Sequence, residues 1–321
     1  MCHQPMTKSI WALAILLLLP VGCAPSPDSA TPKVVSSENP FQVVATTSMI
    51  ADLVKVIGGA YVDVDGLMGP GVDPHLYKAS EGDVSAMTDA DLVFYNGLHL
   101  EGKMVEIFEQ MSHLGRKVFA VTSGLAEDEL RSSELFVGNH DPHIWFDVSL
   151  WMKAAEVVFS VLAENDALHA ADYEARKDAY LAELVELDAW VRSEVLRIPL
   201  NYRVLVTSHD AFGYFGRAYE MDVKGLQGLS TATEAGTADV QALAQFVADN
   251  RIPSMFVESS ISPRGIEAVR EAVRSRGFEV RIGGTLYGDA LGSPGTIAET
   301  YVGMVRENVN TIVTELTTEN E

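Results

Sequence analysis

From about Phe41 onward the chain alternates short runs of apolar and β-branched residues with longer stretches in which apolar positions recur every three or four residues. The first pattern predicts buried strands and the second amphipathic helices, and their alternation predicts parallel sheets covered by helices. Candidate strands are 42–46, 62–68, 92–95 and 117–121 in one half, and 203–207, 222–227, 254–258 and 279–282 in the other. Between the halves, 172–196 carries Tyr173, Tyr180, Leu184, Leu187, Val191 and Val195 on one stripe. That spacing predicts a single helix of nearly 40 Å at 1.5 Å per residue, ending near Pro199. Two echoes link the halves: Val43-Val-Ala-Thr-Thr-Ser48 returns as Val204-Leu-Val-Thr-Ser208, and Asp63-Val-Asp-Gly-Leu-Met-Gly69 as Asp222-Val-Lys-Gly-Leu-Gln-Gly228. In register, they indicate a domain-level repeat. The expected architecture is α/β: two four-stranded parallel-sheet lobes, 41–167 and 200–321, joined by one long spine helix within 168–199.

The N-terminus follows a different pattern. Lys8 precedes the apolar run 10–19, which ends in Pro20-Val-Gly-Cys23. Ten apolar residues reach about 15 Å as a helix, half a bilayer core, so residues 1–22 read as a signal peptide rather than a spanning anchor. Cys23 after Val21-Gly22 resembles a bacterial lipoprotein signal, in which that cysteine is lipidated and becomes the new N-terminus; Pro20 departs from the usual Leu. The other of the two cysteines, Cys2, leaves with the signal, so the mature chain has no disulfide. Residues 23–40, rich in Pro, Ser, Thr and Ala, read as a lipidated tether. The expectation is an exported, lipid-anchored monomer facing the periplasm or cell exterior.

Composition sharpens the class. The chain has 321 residues, 47% of them hydrophobic, enough for one large core or two ordinary ones. A formal charge of −22 disfavours nucleic acid and suits a protein that works among cations.

Candidate chemistry gathers where strands give way to loops, the edge at which open α/β sheets bind ligands. His75 lies in Gly69-Pro-Gly-Val-Asp-Pro-His75-Leu-Tyr77, and His143 in a near copy, His140-Asp-Pro-His143-Ile-Trp-Phe-Asp147. His140 competes with His143, and the repeated Asp-Pro-His frame selects His143. His209 follows a second-half strand, and Asp289 lies in the last glycine-bounded loop. Three imidazoles and one carboxylate form a donor set suited to a divalent transition ion. Asp147, Asp210 and Glu258 are candidates to orient the imidazoles, with helix capping or turn formation as the plainer reading of each.

Asp-Pro-His75-Leu-Tyr, Asp-Pro-His143-Ile-Trp, Ser-His209-Asp-Ala-Phe-Gly-Tyr-Phe and Asp289 in its loop resemble the metal-binding receptors of bacterial ABC importers, a family of zinc and manganese receptors. The last quarter looks most like the treponemal type. The resemblance implies a receptor, not an enzyme, that holds Zn2+ or Mn2+ as cargo with these four residues and delivers it to an ABC permease and its ATPase. Zinc-dedicated members often carry a histidine-rich insert, and 122–139 contains no histidine. Manganese-dedicated members usually place Glu where His209 stands, so zinc is expected first and manganese close behind. Two alternatives are weighed. A metal-dependent hydrolase would use Asp210 or Glu258 as base and needs an open coordination position, and a metal-binding adhesin would bind a host surface without metal.

Overall fold

In the computed structural model, which describes Met1 and residues 33–132 and 138–318, strands and helices alternate as the sequence pattern predicts. The expected signal peptide and Cys23 lie outside the described residues, apart from Met1. No helix among the described residues is long and apolar enough to cross a membrane.

The first sheet is built around β1 (Phe41–Ala45), which is apolar on both faces. Phe41, Val43 and Ala45 belong to one core, and Val44 to another. Parallel pairing places β1 between β2 (Val62–Gly66) and β3 (Leu92–Tyr95), with β4 (Val118–Ala120) outside β3. One face is covered by α1 (Ser48–Gly58), whose N-cap Thr47 accepts the Ile50 N–H at 3.4 Å. The other meets α2 (Glu81–Asp89), started by a Ser80/Asp83 capping box, and α3 (Val105–His113). Folding begins before the first predicted strand, because Val35 is already buried and joins the α1 side of the core.

Two long helices follow, α4 (Val148–Asn165) and α5 (Ala170–Val195), packed against each other. At 26 residues α5 is about 39 Å long. Its predicted stripe is buried throughout, with Lys177 added: the amine lies 4.6 Å from the Phe159 ring centre and 3.0 Å from Asp178.

The second half contains β5 (Val204–His209), α6 (Gly213–Tyr219), β6 (Asp222–Gln227), α7 (Thr237–Asp249), β7 (Ser254–Glu258), α8 (Arg264–Arg274), β8 (Arg281–Leu286) and α9 (Tyr301–Thr317). Its strands form two parallel hydrogen-bonded pairs, β5–β6 and β7–β8, with β5 and β7 lying side by side. The expected second four-stranded sheet is thus two hydrogen-bonded pairs in contact, in the order β6-β5-β7-β8 beside β2-β1-β3-β4 of the first half, and both sequence echoes fall on paired strands.

The cores are shared unequally. The largest combines α1, α4, α5, α6 and α9 with the inner faces of β1 and β3, and also takes Leu205 of β5, Phe256 of β7 and Leu286 of β8. A smaller core holds Val206 and Met255 from the opposite faces of β5 and β7 against α7 and α8. The first sheet and both second-half strand pairs therefore rest on one common hydrophobic base, with His75, His209 and Asp289 at or beyond the carboxyl ends of their strands.

Candidate metal centre

His75 lies on the loop between β2 and α2, His143 on the segment entering α4, His209 at the last position of β5, and Asp289 just after β8. The two Asp-Pro-His loops share a local mechanism. Asp73 Oδ1 accepts the His75 N–H at 2.8 Å, and Asp141 Oδ1 accepts the His143 N–H at 3.0 Å. Each aspartate closes a turn onto the residue two positions on, with proline fixing the backbone between them.

The structure brings all four predicted side chains together and buries them, with His75 4% exposed and the others 1% or less. His143 Nε2 lies 3.2 Å from His75 Nε2 and 3.3 Å from His209 Nε2. Asp289 Oδ2 is 3.3 Å from His209 Nε2 and 3.8 Å from His75 Nε2, and Oδ1 is 3.6 Å from His143 Nε2. A tetrahedral ion with ligands at about 2.0–2.1 Å needs donors about 3.3–3.4 Å apart, so these separations suit one small cation at the centre.

Neighbouring carboxylates set which nitrogen faces inward. Asp141 Oδ1 also takes His143 Nδ1–H at 2.8 Å, leaving the His143 Nε2 lone pair toward the centre. His209 Nδ1 lies 2.8 Å from Glu258 Oε2, while Glu258 Oε1 accepts the His209 backbone N–H at 2.9 Å. Burial opposes charge on His209, but Glu258 and Asp289 outweigh it and hold its pKa well above the imidazole range. Among the described residues His75 has no such partner, and burial lowers its pKa to about 3 despite Asp289. Burial would raise Asp289, yet His209 and the other two imidazoles hold it below the usual carboxylate range. Among the described residues neither Asp289 oxygen has a well-aligned hydrogen-bond donor, a need that a cation would meet, and the close approach of Glu258 Oε2 to His209 Nδ1 is likewise not aligned as a hydrogen bond.

Of the candidate orienting residues, Glu258 stands against His209. Asp147 instead caps α4, accepting the Ser149 N–H at 3.0 Å, and lies 3.7 Å from Arg217, so it takes the plainer capping role. Asp210 sends its backbone N–H to Gln227 O at 3.1 Å, and among the described residues no imidazole hydrogen bond reaches its carboxylate. The orienting residue that sequence reasoning missed is Asp141, whose Oδ2 pairs with Arg131. Gly213 makes room for that pair, since a Cβ there would occupy the position of the Arg131 guanidinium. The signal for Asp141 was the repeated Asp-Pro-His frame itself.

A family profile described as zinc-uptake complex component A, periplasmic (ZnuA), matches residues 43–315. The chain is similar to the zinc-binding protein TroA of Treponema pallidum (strain Nichols), 49% identical over 274 residues, covering 85% of this chain and 88% of that protein. It is also similar to the manganese-binding lipoprotein MntA of Bacillus subtilis (strain 168), 44% identical over 284 residues, covering 88% and 91% respectively. The solved structure of the periplasmic zinc-binding protein TroA from Treponema pallidum matches with a TM-score of 0.85 at 48% identity, covering 87% of this chain and 100% of that one. With a match over most of its length and relatives well above 30% identity, the chain belongs to the ZnuA family of periplasmic zinc-uptake components.

Proposed function

We propose that this chain is an exported receptor that captures one divalent transition-metal ion, zinc or manganese, and passes it to an ABC permease and its ATPase. His75, His143, His209 and Asp289 are the ligands in this reading. The observation that carries it is the convergence of three imidazole nitrogens and an undonated carboxylate within 4.8 Å of one another, with the His143 ring turned lone-pair-inward by Asp141 and His209 backed by Glu258. Lone pairs facing each other at 3.2–3.3 Å repel unless a proton or a cation lies between them.

Four protein ligands leave no vacant position for an activated water, which suits capture without chemistry. Three nitrogens and one oxygen favour zinc. Both Asp289 oxygens face the imidazoles, so the carboxylate can engage through one or two atoms and extend the site toward manganese. Lipidation of Cys23 would hold the protein, a monomer in this reading, at the membrane, with its lobes facing the periplasm or cell exterior.

The test is a competition titration of zinc and manganese into chelator-stripped protein beside His209→Ala and Asp289→Ala, with bound metal counted by elemental analysis. One tight equivalent, lost in both variants, is expected. Absence of a stoichiometric metal in the parent protein would refute the proposal.

A further inference from the structure

The loop bearing His75 is held from across the cleft. Gly71, at φ +72°, lets the loop turn against the end of β7, where a Cβ would stand 3.4 Å from the Ser259 carbonyl oxygen. Two residues before His75, Asp73 divides its carboxylate between the lobes: Oδ1 accepts the His75 N–H at 2.8 Å, and Oδ2 accepts the Thr231 hydroxyl at 2.6 Å. Thr231 sits in the segment joining β6 to α7. It is only 7% exposed, whereas the Ala232, Thr233 and Glu234 that follow it are exposed. A threonine turned inward from a solvated loop, bonded to the carboxylate that fixes a ligand's backbone, needs a reason beyond loop folding.

Resting on the receptor reading above, we propose that the Thr231–Asp73 hydrogen bond is a latch across the cleft that sets how fast the metal ion leaves, with Thr231 a positioning residue for His75. Withdrawing His75 from the ion draws Asp73 away from Thr231, so the barrier to release includes this bond. A hydrogen bond to a carboxylate is stronger than one between neutral groups, and its loss leaves a half-buried acceptor unpaired. Entry of the ion precedes closure, so association does not depend on the latch.

Stopped-flow mixing of zinc-loaded protein with excess chelator measures release, and mixing metal-free protein with zinc measures association. Thr231→Val keeps the shape of the side chain and removes the hydroxyl. It is expected to speed release roughly ten- to a hundredfold with association unchanged. Thr231→Ser should restore slow release, and Thr233→Val, on the exposed part of the same loop, should leave it unaltered. Release from Thr231→Val within about twofold of the parent overturns the latch, even if its melting temperature falls. Acceleration that Thr231→Ser fails to reverse also overturns it. Failure of the parent to bind zinc would instead overturn the receptor reading, and the latch with it.

Discussion

Asp141 is fully buried and fully committed: Oδ1 takes both the ring and backbone N–H groups of His143, and Oδ2 pairs with Arg131. Replacing it with Ala removes the acceptor that, among the described residues, holds the His143 proton on Nδ1. The ring is then free to turn, and the proton can move to Nε2, where it blocks the ion. Loss of such an outer carboxylate typically weakens metal affinity 10- to 100-fold, or about 1.4–2.7 kcal/mol. Asp141→Asn should fall between Ala and the parent. Its carbonyl can still accept Nδ1–H, but its amide then points donors at the Arg131 guanidinium. A competition titration against a chromophoric chelator measures the loss, and circular dichroism melting separates it from unfolding. Asp147→Ala serves as the control, because it weakens the α4 cap without touching an imidazole. Zinc affinity in Asp141→Ala within about threefold of the parent, or an equal loss in Asp147→Ala, would refute the assignment.

Metal affinity should climb with pH, because an incoming ion must displace the proton that Glu258 and Asp289 hold on His209, whereas His75 is already neutral. Roughly one proton per ion is expected to be released near pH 7, counted by calorimetry in buffers of different ionisation enthalpy; none released would sink the account. Burial raises the Asp52 pKa from 3.8 to about 6, against its hydrogen bond from the Tyr301 N–H and the charge of Lys55, with Glu183 and Glu299 adding to the rise. The folded state therefore binds this proton more tightly than the unfolded state, and its stabilising effect, full below about pH 4, is lost as pH rises through 6. The loss is up to about 3 kcal/mol at 1.36 kcal/mol per pKa unit, less where solvent screens the group. Asp52→Asn should flatten the melting profile between pH 4 and 6 and raise Tm at pH 7; an unchanged slope would refute it. Gly213→Ala should expel the Arg131 guanidinium from Asp141 and weaken zinc binding about threefold to tenfold in the same titration, less than Asp141→Ala. Solution scattering with and without zinc should show nearly equal radii of gyration, and a large closure would contradict the shared core.

Periodicity made most of the fold legible. β3, β6 and β7 match their predicted spans, and the spine stripe is buried residue for residue. Where the readings differ, side-chain identity misled. Lys177 was passed over because its charge hides a buried stem. β8 begins at Arg281 and continues to Leu286, because pairing with β7 carries it through Gly283-Gly284, a dipeptide that reads as a turn. The predicted β2 runs two residues past Gly66, yet the Leu67 and Met68 N–H groups still bond to the Ala45 and Thr46 carbonyls, so only the boundary differs. At the site, the histidines stood out because loops rarely repeat one stiff frame. The aspartates of that frame close turns, and the sequence marks them for nothing more. Only three-dimensional structure shows that Asp141 also reaches the ring of His143, and Asp73 the opposite lobe.

The position of the site on the common core decides which motion can release an ion. Asp289 comes from the second half of the chain but is tied to the first: Trp145 Nε1 donates to Gly288 O at 3.0 Å, and the Leu291 N–H to Ser48 Oγ at 2.8 Å. Tyr301 fastens the same region, its hydroxyl on Trp145 O at 2.8 Å and its N–H on Asp52 at 2.9 Å. Swinging one sheet away from the other would break these bonds and strip Leu205, Phe256 and Leu286 from the shared core, at about 1.5–3 kcal/mol for each apolar side chain alone. Withdrawing the His75 loop breaks one cross-cleft hydrogen bond and leaves that core whole. The second route is cheaper by several kcal/mol, so release should begin at His75, with His143, His209 and Asp289 staying in place as the ion departs.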